Sequence, residues 1–138
     1  MTVFCMTLSP NDVNGVRQEG YVLIPLRARD AQPSFWSWPG RYAPLATGQL
    51  EFPIRLDDLG QPGSSRIYFV PERAEFRLCA ERVYRLGAAT AGAVLEVERT
   101  GVGAYRTEVH PVGSPTFAAY APSLTNSVAN SAKRWGYV

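Results

Sequence analysis

Ala93-Val94-Leu95-Glu96-Val97-Glu98-Arg99-Thr100 and Ala104-Tyr105-Arg106-Thr107-Glu108-Val109 flank the spacer Gly101-Val102-Gly103. Apolar and β-branched residues alternate with charged ones on both sides, the period of a half-buried strand. The spacer places glycine where a tight reversal needs positive φ, so the stretch predicts a β-hairpin. Working outward, residues 75–80 and 82–86 alternate in the same way, and 66–70 is a strand that stops at Pro71-Glu72-Arg73. Residues 49–56 alternate again. Tyr21-Val22-Leu23-Ile24-Pro25-Leu26 is β-branched and aromatic, with Pro25 marking an edge or a bulge. Between these runs lie turn signals: Ser9-Pro10-Asn11-Asp12, where Pro10-Asn11-Asp12-Val13 could open a short helix, then Asn14-Gly15, the small residues 87–92, and 57–65, which reads as a flexible surface loop. Residues 110–122 hold three prolines and read as a loop with at most one short strand. Residues 127–135 lack proline and read as a C-terminal helix, capped by Ser123 or Thr125. Six or seven short strands and no long amphipathic helix predict an all-β barrel or sandwich.

The chain has 138 residues, the size of one domain, 1–138, with a core that needs no staples. With 46% apolar and 19% charged residues it is globular rather than disordered. No apolar run reaches the length of a membrane span, and the first residues lack the basic start of a signal peptide. Cys5 and Cys79 match no metal-ligand spacing and no disulfide framework. Both are expected to be free, buried thiols in a cytoplasmic protein. The net charge is +2, from thirteen arginines and one lysine, Lys133, against twelve acids. Arginine suits phosphates and guanine edges, but it is also what a GC-rich genome writes in place of lysine.

Phe35-Trp36-Ser37-Trp38-Pro39-Gly40-Arg41-Tyr42 is the most aromatic segment, four of eight residues. In an extended chain Trp36 and Trp38 face one way and Phe35 the other. Beside Arg27, Arg29 and Arg41, such rings either recognise a ligand or plug one end of a barrel.

Few residues are suited to catalysis. His110 is the one histidine, and as a general base it needs a nucleophile and an orienting carboxylate. A structural or surface histidine is the simpler reading. Asp57-Asp58 reads as a solvated acidic pair rather than a cation site. Lys133 has no carboxylate near it in the tail, as a metal-dependent nuclease core would require, and Gly101-Val102-Gly103 lacks the features of a phosphate loop. No metal, cofactor or catalytic residue is expected. In the tail, Asn126, Asn130, Lys133, Arg134 and Tyr137 recur at helical steps and would share one polar, cationic side. Asn and Arg suit base edges, whereas Ser and Lys suit phosphates. The alternative is a frayed helix docked by Trp135.

Three segments, in order and spacing, resemble the B3-like DNA-binding domains of bacterial restriction endonucleases. They are Ile24-Pro25-Leu26-Arg27-Ala28-Arg29, then Phe69-Val70-Pro71-Glu72-Arg73-Ala74-Glu75-Phe76-Arg77-Leu78, and finally Asn126-Ser127-Val128-Ala129-Asn130-Ser131-Ala132-Lys133-Arg134-Trp135-Gly136. The resemblance implies an open β-pseudobarrel of about seven strands with one or two short helices, one near the C-terminus. It implies two arms in the major groove of double-stranded DNA. The first spans residues 27–41, with Arg27, Arg29, Gln32, Ser34, Trp36, Trp38 and Arg41. The second spans 126–134, with Asn126, Ser127, Asn130, Ser131, Lys133 and Arg134. It implies a target reader, non-catalytic by itself, to which a nuclease domain or subunit is usually attached. Two readings from other classes remain: a phage virion or other assembly protein, and a small hydrolase built on His110. Clustering of Arg27, Arg29, Arg41, Lys133 and Arg134 on one face would favour DNA, and scattered arginines would favour assembly.

Overall fold

The structure, a computed structural model, describes residues 3–10, 12–13, 20–36, 51–85 and 90–138. Its strands are β1 (Val3–Thr7), β2 (Tyr21–Ile24), β3 (Glu51–Asp58), β4 (Gln61–Val70), β5 (Glu75–Cys79), β6 (Val94–Gly101), β7 (Ala104–His110), β8 (Asn126–Ser127) and β9 (Arg134–Tyr137). They form one sheet of nine strands in the order β2-β5-β4-β3-β7-β6-β1-β9-β8. Every neighbouring pair is antiparallel except β3 with β7. The sheet curls into a half-barrel, so the expected open all-β architecture is present, with two or three strands more than the sequence suggested. β2 and β8 are its edges.

The β6–β7 hairpin forms where the alternation places it, and Gly103 supplies the left-handed turn at φ +63°. The expected loop at 57–65 is instead the tip of a second hairpin. β3 and β4 pair without interruption up to Asp58 opposite Gln61. Leu59 and Gly60 make the two-residue reversal at φ 52° and 85°. Two successive positive φ values match the right-handed twist of the flanking strands, so the strands run further than composition suggests.

Short helices occupy places the sequence reading assigned otherwise. α1 (Leu26–Ala31) follows β2 directly, in the segment expected to begin an arm. α2 (Glu81–Arg85) replaces the expected strand at 82–86: the Asp58 carboxylate accepts from the Arg82 N–H at 2.7 Å and caps it. α3 (Pro115–Tyr120) arises in the expected proline loop. Ser114 caps it by accepting from the Phe117 N–H at 3.1 Å, and Pro115 opens it without losing a needed donor. α3 is thus the helix near the C-terminus. The expected helix at 127–135 is absent: residues 126–137 form the β8–β9 ribbon, with Asn130 at φ 58° in its turn.

One apolar cluster fills the curl, with Phe4 and Met6 from β1, Ile67 from β4, Phe76 and Leu78 from β5, Leu95 and Val97 from β6 and Tyr105 from β7. Trp36 sits at its centre with no exposed surface. Its ring lies 5.1 Å from Phe4, 5.7 Å from Phe76 and 6.0 Å from Tyr105, so it touches strands from both halves of the sheet. Its indole N–H donates to the Tyr137 hydroxyl at 2.9 Å, and that hydroxyl donates to the Ala28 carbonyl. Of the two readings of the aromatic segment, Trp36 is the plug. Phe35 is also buried, 4.9 Å from Trp36, rather than facing away. Trp38 and Arg41 lie outside the described residues.

Candidate nucleic-acid interface

A curled sheet that does not close leaves a seam between its edges. Here the edge strand β2 approaches the turn joining β8 to β9. The Lys133 ammonium spans the gap, donating to the Leu23 carbonyl at 3.0 Å and pairing with Asp12 at 2.8 Å. A cleft of about 610 Å³ opens at this seam. Pro25, Leu26 and Arg27 form one rim, and Ser127, Val128, Ala129 and Ser131 form the other. Buried Ile24, Phe76 and Trp135 close its base.

Asp12 reaches the seam through a local motif. Ser9 Oγ accepts from the Asp12 N–H at 3.2 Å, while the Asp12 carboxylate accepts from the Ser9 N–H at 2.9 Å. This reciprocal pair is a capping box, and Val13 N–H to Ser9 O at 3.1 Å closes the helical turn behind it. The sequence reading took Ser9 to Asp12 as turn signals, with residues 10–13 able to open a short helix. The spacing of Ser9 and Asp12 was the sign of the box, but nothing local pointed to a lysine 121 positions later.

The structure divides the expected contact residues. Arg27 is exposed on the cleft rim. Gln32 is half-buried and Ser34 exposed just beyond α1. On the opposite side, Asn126, Ser127, Asn130 and Ser131 are exposed. Asn126 Nδ2 donates to the Trp135 carbonyl at 3.3 Å, and Ser131 Oγ accepts from the Lys133 N–H at 3.0 Å. Both contacts hold the ribbon's shape.

Three expected contacts are corrected by burial. Trp36 is enclosed by the core. Arg29 is 4% exposed, paired with Asp30 at 3.1 Å and stacked over Phe69 and Phe76 at 5.2 and 5.4 Å. Lys133 is an inward ion pair, with its side chain 8% and that of Asp12 1% exposed, so the ammonium is not displayed to a phosphate. The single cationic helix side is also corrected. On β9 side chains alternate, so exposed Arg134 points away from buried Trp135, which lines the cleft. Of Arg27, Arg29, Lys133 and Arg134, Arg29 and Lys133 are therefore buried in ion pairs and Arg134 lies off the cleft lining, so these four do not present one cationic face.

A second polar cluster lies elsewhere on the sheet. His110 is 7% exposed, with Nε2 3.3 Å from Glu96 Oε1 and its ring stacked on Tyr120 at 5.2 Å. The Tyr120 hydroxyl donates to the same carboxylate. Burial and the Glu96 carboxylate hold the Tyr120 phenol well above its usual range. Glu96, Glu108 and His110 offer ligand atoms within 4.8 Å of one another. The Arg106 guanidinium already pairs with Glu96 at 3.2 Å and Glu98 at 2.9 Å, and also with Glu108, and so supplies the positive charge a cation would bring. His110 is thus a buried histidine in a paired network. Asp58 is not a solvated acid either. It is 7% exposed, bonded to Thr107 Oγ1 at 2.9 Å and to the Arg82 N–H. Desolvation raises its carboxyl above the usual range, against the opposing pull of those donors. Cys5 and Cys79 are both free, Cys5 buried and Cys79 half-buried. Burial pushes the Cys5 thiol up to about 11.

Among the described residues no helix is long and apolar enough to cross a membrane. No family model matches the sequence. No curated protein matches it either. Among solved structures, the chain is similar to the N-terminal domain of Helicobacter pylori LlaJI.R1, at 7% identity and a TM-score of 0.63. That alignment covers 100% of this chain and 99% of the other, and at this identity it shows a shared fold.

Proposed function

We propose that this chain is a sequence-specific reader of double-stranded DNA, non-catalytic by itself, of the B3-like kind. Its natural context would be a restriction system, with a nuclease domain or subunit doing the cutting. The observation that carries this reading is the meeting of two segments, 101 residues apart at Arg27 and Val128, on opposite rims of one cleft. The kinship in fold with a domain of a restriction-system protein supports it. On this reading the first rim presents Arg27, with Gln32 and Ser34 just beyond it, and the second presents Ser127 and Ser131, with exposed Asn126 and Asn130 beside them in the same ribbon. Gln and Asn pair two-pronged with adenine edges, and serine hydroxyls and Arg27 hold phosphates or guanine.

The separation of Arg27, Arg29, Lys133 and Arg134 favours a second reading, an assembly protein whose ribbon and loops meet neighbouring subunits. Titration of duplex DNA separates the two. On a duplex enriched from a random pool, Asn130→Ala should cost about 1–3 kcal/mol while random duplex binding changes little. Arg27→Ala, if it holds a phosphate, should lower the slope of log affinity against log salt by about one. Wild-type protein that ignores duplex DNA but self-associates would replace the first reading with the second.

A further inference from the structure

The curl of the sheet brings β2 and β9 near each other without a backbone ladder between them. Among the described residues at least two side-chain bonds cross from the β2–α1 segment to the C-terminal ribbon. One is the Tyr137 hydroxyl to the Ala28 carbonyl, beside the Trp36 plug. The other is the Lys133 ammonium to the Leu23 carbonyl, at the cleft. Tyr137 is fixed at the core, whereas Lys133 directly follows the turn that carries Asn130 and Ser131. Its partner Asp12 is anchored by the capping box. A buried ammonium with a buried carboxylate and a carbonyl has little freedom, because each alternative position leaves a charge or an acceptor unpaired away from water.

We infer that Lys133 and Asp12 are positioning residues: by tying the β8–β9 turn to the open edge of β2, they set the separation of the two cleft rims. With that separation they set the preference for one duplex sequence over another. The inference rests on the DNA reading for its consequence, but the tie itself is a property of the free protein. Base edges repeat along the groove at fixed spacing, so two rims read one site only while their separation matches it. A rim that drifts still meets phosphates, which every sequence offers. Loss of the tie should therefore erode selectivity and spare general binding.

The test uses Asp12→Asn/Lys133→Met. Lys133→Met alone strands a buried carboxylate and risks the fold, whereas the double variant removes both charges and keeps an oxygen for the Ser9 N–H. A thermal melt first establishes that it is folded. Spin labels at Arg27→Cys and Ala129→Cys, in a Cys79→Ser background, then report the rim separation without DNA. One narrow distance is expected with Asp12 and Lys133 intact, and a broadened or shifted one in the double variant. In unlabelled protein, affinity for the enriched duplex should fall about tenfold or more, the worth of one good two-pronged base contact. Affinity for random duplex should hold within about twofold, and the salt slope should not change. An unchanged distance distribution overturns the tie. Equal losses on both duplexes, with the slope lowered by about one, would make Lys133 a phosphate contact and overturn it too. Wild-type protein that binds no duplex, but whose rim distance depends on Lys133, would refute the DNA reading and leave the tie standing.

Discussion

Trp36→Ala separates a core plug from a recognition loop. Trp36 is fully enclosed, with Phe35 at 4.9 Å, Phe4 at 5.1 Å, Phe76 at 5.7 Å and Tyr105 at 6.0 Å. Truncation empties the middle of the half-barrel, and the strands around it cannot collapse without breaking their ladder. Large aromatic truncations of this kind cost about 3–5 kcal/mol. The Tyr137 hydroxyl also loses its indole donor, although it keeps the Ala28 carbonyl as acceptor. Trp36→Phe keeps most of the ring contact and should cost about 1–2 kcal/mol, from the lost hydrogen bond and the volume missing beside it. At about 3 °C per kcal/mol for a domain of this size, the alanine variant should melt on the order of 12 °C lower. Urea titration by circular dichroism measures the difference directly. Duplex affinity, measured where both proteins are folded, should hold within about twofold. A stability cost below about 1 kcal/mol together with a collapse of affinity would refute the reasoning and make Trp36 a contact residue.

Other substitutions probe single features. At Gly136 a Cβ would stand 1.8 Å from the Ser123 carbonyl oxygen and 2.9 Å from its carbon. Gly136→Ala must therefore push the 3₁₀ turn Ala121–Ser123 off β9, at a cost of about 3 kcal/mol or more; denaturation indistinguishable from wild type would contradict that contact. Asp58 is held above the usual carboxyl range by burial, so the folded state keeps its proton to higher pH than the unfolded chain does. The stability this group contributes is complete below the unfolded carboxyl range and is lost as pH rises through the folded value. Relative to Asp58→Asn, the wild type should thus lose stability on going from acid toward neutral pH, and a difference of opposite slope would be inconsistent with the burial. With its thiol pushed up to about 11, Cys5 should resist a thiol reagent at pH 8 until the protein unfolds, and reduction should leave the native mass unchanged. Rapid modification of Cys5 in the folded protein would mean that β1 is more open than the structure shows.

The all-β class was legible because β3 and β7 bury alternate residues, while β6 alternates apolar with charged residues although its Glu96 is buried in an ion-pair network. β1 escaped the same reading. Phe4, Cys5 and Met6 are all buried, between β6 on one side and β9 on the other, so no polar residue marks a solvent face. Residues 82–86 are too short to distinguish a period of 2 from 3.6, and the choice fell to the cap from Asp58, 24 positions earlier. The tail was misread because Asn and Ser at three- and four-residue steps also suit a tight ribbon, and the pairing of Asn126 with Trp135 settles its shape. The two segments line one cleft, but nothing within either segment told that Arg29, Trp36 and Lys133 would be buried. Whether a cation faces a phosphate or an internal carboxylate depends on partners remote in sequence, as Lys133 and Asp12 show.

The central claim is that two rims meeting at one seam read duplex DNA, and selection from a random duplex pool at physiological salt tests it most directly. The account predicts enrichment of one short site, bound at least about a thousandfold more tightly than random duplex. That preference should shrink in a protein carrying Asn126→Ala and Asn130→Ala together. A pool that stays random after repeated rounds, with no duplex retained by the wild-type protein, would contradict it.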